Sequence, residues 1–139
     1  MFGFGSETKK IKNQNEFENS VSAYLDTKNR EIVELLMPSF NEAIYERTLE
    51  LLSESETMTI IQDLPKNKIE PLLKQITSMI PYNQENAAKI LGEILYLVAL
   101  RATLYVEKNG EEEDLNDDFF IALFKDIIKE METIHELYF

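Results

Sequence analysis

The chain contains no cysteine and no tryptophan, a single histidine, and only four glycines and four prolines in 139 residues. Without cysteine neither a disulfide nor a thiolate metal site can form, which fits a reducing compartment and the expectation of a cytoplasmic protein. With His135 the only imidazole, the Ser-His and Cys-His constellations of nucleophilic catalysis have one candidate base and no companion motif around it. No glycine-rich loop of the phosphate-binding kind is present. The reading that follows is of a protein that is not an enzyme and takes no cofactor.

Basic residues are scarce too, 14 against 26 acids, for a net charge of −12. Polyanions repel such a surface, so neither direct nucleic-acid binding nor binding to an anionic membrane is expected. Long apolar runs are missing as well. Ile94 to Leu100 is free of charge, but Lys89 and Glu93 precede it and Arg101 follows, whereas a membrane span needs about 18 apolar residues. At the N-terminus Lys9, Lys10 and Lys12 follow Phe2 and Phe4, the reverse of a secretory leader, and no apolar stretch of leader length is found.

What the chain does contain is helical periodicity. The stretch Asn86–Val106 is its organising element, with Ala87, Ile90, Leu91, Ile94, Leu95, Val98, Ala102 and Tyr105 along one face and Leu97, Leu100 and Leu104 along a second. A helix apolar on two faces belongs inside a fold with neighbours around it. Asn83 is the expected cap, Glu85 suits the first turn, Lys108 suits the last, and Asn109-Gly110 supplies the stop, which places the helix at about 84–109. Gly92 inside it costs helix stability, and close approach of a neighbouring backbone would account for it as well as a tolerated exposed glycine would.

Before this helix the sequence predicts an arm over 1–13, in which Phe2 and Phe4 pack on the body, and a helical domain over 14–139. Asn15 and Glu18 have the spacing of a capping box, opening a short helix that ends near Asp26. Thr27 or Asn29 caps the next stripe, Ile32 to Leu52, which kinks at Pro38 or divides near Met37. Met58–Ile61 is expected to form a turn or two of helix. Ile69, Leu72, Leu73, Ile76 and Ile80 mark another helix, with Pro71 in its first turn and Pro81 at its end. The last helix follows Asn116 and carries three adjacent apolar pairs, Phe119-Phe120, Leu123-Phe124 and Ile127-Ile128. No repeat and no long linker divides the chain, so the expected fold is all-α, a single-domain bundle of about five helices around the central one.

Four features are candidates for function. Glu132 and His135 have the Glu-x-x-His spacing of carboxylate metal bundles, but a second such motif is lacking, and Glu42 and Glu46 are ordinary for an acidic helix, so no metal site is assigned. The acidic run Glu111, Glu112, Glu113, Asp114, Asp117 and Asp118 does not have the calcium-loop pattern and reads as a solvated acidic surface or a bait for a basic partner. Arg101 within an apolar helix needs a partner from another helix, a place on the wet edge with Glu93 and Lys89, or a polar ligand pocket. The wide arc of the last helix either fits a groove between two neighbours or leaves one edge open, and the edge Phe120, Phe124 and Ile128 is the expected contact surface for a partner. Together these predict a small acidic protein that binds a protein partner or a second copy of itself as a homodimer. The alternatives are an acidic inhibitor (an antitoxin, an immunity protein or a nucleic-acid mimic) and a small-ligand binder with a pocket at Arg101.

Overall fold

The computed structural model describes residues 2–80 and 84–139, with side chains from residue 13 onward. Among these residues the chain forms six α-helices and no strand: α1 (Phe2–Leu36), α2 (Glu42–Ser53), α3 (Glu56–Gln62), α4 (Lys66–Met79), α5 (Gln84–Asn109) and α6 (Asp117–Glu136), with one 3-10 turn at Glu112–Asp114. The all-α bundle expected from the periodicity is the observed architecture. Helix α5 lies at its centre, touching α1, α2, α3 and α6. Its side chains from Leu97 to Leu100 are all buried, because successive residues face different neighbours. No described helix is long and apolar enough to cross a membrane.

The helix boundaries follow local chemistry. Asn41, Ser55 and Asn116 each stand in extended conformation ahead of a helix and accept the backbone N–H three residues on, at 2.9, 3.2 and 3.0 Å. Each cap satisfies a donor that the helix cannot bond internally. Gly110 ends α5 at φ +68°, a conformation that is inexpensive for glycine alone. The expected cap Asn83 and stop Pro81 lie outside the described residues.

Helix α1 departs from the sequence-based expectation. It is helical from Phe2, through the segment assigned to an arm, and it does not break near Asp26. The packing of Phe2 and Phe4 lies outside the described side chains. No glycine or proline falls between Ser6 and Met37. Phe17, Val21, Leu25, Ile32 and Val33 are all buried in one line, and the polar residues between them bond along the helix, Thr27 Oγ1 to the Ala23 carbonyl and Arg30 Nε to Asp26, both at 2.8 Å. Thr27 and Asn29 are therefore helix interior and cap nothing. The supposed capping box fails likewise, since Glu18 is buried against α5, its carboxylate accepting from Asn86 Nδ2 at 2.8 Å. The chain divides where Pro38 requires it, because the residue before a proline is driven out of helical conformation. Pro71 is the sixth residue of α4, beyond its first turn, and is accommodated on an exposed face where the freed carbonyl meets water.

The expected contact edge of α6 is corrected by the packing. Phe120 and Phe124 have no exposed surface and Ile128 only 3%. Helix α6 touches α4, α5 and α1, so the two sides of each adjacent apolar pair meet different neighbours, and the wide arc is the signature of a helix in a groove. These three residues are core and offer nothing to a partner.

Candidate binding cleft beside the acidic turn

Where the chain leaves α5 and turns back into α6, a cleft of about 300 Å³ opens between α3, the last turns of α5 and the 3-10 turn. Ile60, Val106 and Leu115 give it apolar lining, Thr57 and Thr103 contribute hydroxyls, and Glu56, Glu107 and Glu112 bring three carboxylates. Local chemistry places each of them. Glu56 is the first residue after the Ser55 cap, where a carboxylate complements the helix dipole. Glu107 precedes the glycine stop of α5. Glu112 opens the 3-10 turn, which is held to α5 by the Tyr105 hydroxyl donating to Asp114 Oδ2 at 2.7 Å. That bond, with the negative charge of Asp114 at its far end, raises the Tyr105 phenol above its ordinary range. The Tyr105 ring packs on Phe119 at 4.9 Å, fixing the turn from the other side.

The three cleft glutamates are exposed, and none makes an ion pair or side-chain hydrogen bond among the described residues. No lysine, arginine or histidine lines the cleft. It is a concave, partly apolar surface with three uncompensated negative charges, and the C-terminal end of α5 adds the negative pole of its backbone dipole. That arrangement attracts a cation carried on an apolar stem.

The acidic run is divided by the fold. Glu112 faces the cleft, Asp114 is engaged by Tyr105, and Asp117 and Asp118 occupy the first turn of α6, with Lys68 3.9 Å from Asp118. Glu111 and Glu113 are exposed. The run is thus distributed over separate settings, unlike the regular array of a phosphate backbone. Two cleft acids lie outside the run: Glu56 is brought to Glu112 only by the tertiary contact of α3 with α5, and Glu107, at the end of α5, by the turn that follows that helix.

The other candidates have structural partners. Arg101 Nη2 donates to both oxygens of Glu130 on α6, at 3.1 and 3.2 Å, across a half-buried seam. Arg101 does not border the cleft. Glu93 has left the expected wet edge for the α1–α5 seam, where it accepts from Ser22. His135 is held between two rings, edge-on to Phe17 at 4.9 Å and stacked on Phe139 at 4.4 Å. Glu132 accepts from Gln75 of α4. Glu42 binds the Arg30 guanidinium through both oxygens, which holds its carboxyl below the usual range. No group of three or more metal-ligating side chains is gathered among the described residues.

Compared with known protein families, curated proteins and solved structures, the chain matches none of them.

Proposed function

We propose that this protein is a binding module for a basic segment of a partner protein, and that the cleft between α3, α5 and the acidic turn receives a lysine or arginine side chain of that partner. The observation carrying this reading is the set of three unpaired carboxylates, Glu56, Glu107 and Glu112, around a cleft partly lined by Ile60, Val106 and Leu115. A long basic side chain suits both parts at once, its methylene stem against the apolar lining and its charge among the carboxylates. The −12 net charge extends the attraction beyond contact range and speeds encounter with a basic surface. Inhibition of a basic active site is one use of such a module, and a chain free of cysteine is suited to the reducing cytoplasm. Self-association through α6 has lost its proposed surface with the burial of Phe124.

A lysine- and arginine-rich amphipathic peptide is the direct probe. Replacing Glu56, Glu107 and Glu112 together by glutamine should weaken its binding about tenfold or more, which corresponds to about 1.4 kcal/mol. Replacing three exposed acids elsewhere, Glu34, Glu46 and Glu54, removes the same charge and should have a much smaller effect. Equal losses from both triple variants, measured by isothermal titration, would reduce the attraction to bulk charge and overturn the assignment of the cleft.

A further inference from the structure

The longest helix–helix contact in the molecule, between α1 and α5, contains a polar seam with too few hydrogen-bond donors. Ser22 Oγ on α1 donates to both carboxylate oxygens of Glu93 on α5, at 2.8 and 3.2 Å. About two turns further along α1, Asn29 donates through Nδ2 to the Glu93 backbone carbonyl at 3.3 Å. Asn29 is 1% exposed, and its Oδ1 is a buried acceptor that no donor reaches. Along this seam lie the Glu93 carboxylate, within the field of Asp26, and the orphaned Asn29 oxygen.

The charged and titratable surroundings of Glu93 come from three helices. Helix α1 supplies Asp26, whose charge is held by Arg30 at 2.8 Å and which also accepts from Tyr45 at 3.1 Å. Helix α2 supplies Tyr45 itself, which lies within the field of Glu93. Helix α5 supplies Lys89, one turn before Glu93 and exposed. Glu18 lies one turn before Ser22 on α1, beside a recess of about 40 Å³ shared with Ser22, Asn86 and Lys89. Arg30 is already committed to Asp26 and Glu42. Among the described residues no cation is bonded to Glu93.

We infer that Glu93 is a proton-binding site, and that its protonation tightens α1 against α5 as an acid-responsive latch in the fold. The added proton removes a half-buried negative charge, relieves the repulsion from Asp26 and supplies a donor to a seam short of one. Burial raises the Glu93 carboxyl above its ordinary range and Asp26 adds to this, while the Ser22 hydroxyl and Lys89 oppose it. A folded-state value above the unfolded one means that folding takes up a proton there. The extra stability is complete below the ordinary carboxyl range and is lost as pH rises through the raised folded value.

Carboxyl-carbon NMR of the full chain measures the Glu93 titration directly, and its midpoint is expected above the ordinary glutamate value of about 4.3. Glu93→Gln holds the site permanently neutral and supplies an amide donor. Its melting temperature should exceed that of the wild type at about pH 7.5, with a narrower gap at about pH 4.3, the ordinary glutamate value, which lies below the raised one. Ser22→Ala removes the hydroxyl that favours the ionised form and should move the Glu93 midpoint upward. A gap between Glu93→Gln and wild type that is the same at both pH values, or a Glu93 midpoint no higher than the ordinary glutamate value and unmoved by Ser22→Ala, would overturn the latch.

Discussion

Arg101 shows how a single charge is carried in an apolar element. Its guanidinium leaves the α5 core stripe at the seam with α6 and meets Glu130, with side-chain exposures of 21% and 31% for the pair. Exposed ion pairs contribute about 0–1 kcal/mol, whereas breaking a fully buried one costs about 3–5 kcal/mol. The half-buried pair belongs between them. Arg101→Leu alone should lower stability by about 1–2 kcal/mol, because Glu130 is left without its partner, and adding Glu130→Leu should restore most of the loss. Urea unfolding of the two variants decides it. A double variant no more stable than the single would show that the pair gains more from its charges than apolar packing can replace. Tyr24 offers a second reporter, since its phenol is raised by burial first and by the neighbouring Glu130 next, and removing Glu130 should bring it down.

At the scale of elements, the legible features were those encoded locally. The Gly110 stop of α5 and the Asn116 cap of α6 rest on side chains and backbone within a few residues of the helix end, so the sequence specifies them directly. The continuity of α1 was not legible, because the polar stretch from Asp26 to Arg30 looks like a break until α5 and α2 are in place to accept its side chains. The breadth of the apolar arc on α6 was legible, but which helix covers each side of it depends on α1 and α4 and cannot be read within α6 itself. The same limit applies to the cleft, where Glu112 stood out in the acidic run while Glu56, on α3, is distant along the chain. Gly92 resolves as a tolerated residue, since a Cβ built there meets nothing within 4 Å. No close backbone approach requires it. Gly92→Ala should therefore raise stability by about 0.5–1 kcal/mol through helix propensity, without disturbing packing. Thermal unfolding that shows no gain, or a loss, would place a contact at Gly92 that the fold does not contain.

For the whole molecule, the excess of carboxylates has opposite consequences for folding and for binding. With 26 acids and 14 bases the folded chain repels itself, while among the described residues the ion pairs that bridge different helices are Arg30–Glu42, Lys68–Asp118 and Arg101–Glu130. Salt shortens the range of charge interactions from about 30 Å at 0.01 M to about 8 Å at 0.15 M, so it relieves this repulsion across the surface. Most of the stability comes from the apolar centre around α5, which added salt does not weaken. The melting temperature should consequently rise as sodium chloride is added over this range. Binding of a basic peptide at the cleft should fall over the same range, because salt screens the attraction that brings the partner in. The two slopes have opposite signs only if repulsion dominates the fold and attraction dominates the site. Calorimetry at three or four salt concentrations, with peptide binding followed in the same buffers, measures both. A melting temperature that fell with salt would mean that ion pairs such as Arg30–Glu42 and Arg101–Glu130 outweigh the net charge. Peptide affinity indifferent to salt would mean that any binding at the cleft is carried by Ile60, Val106 and Leu115 rather than by its carboxylates.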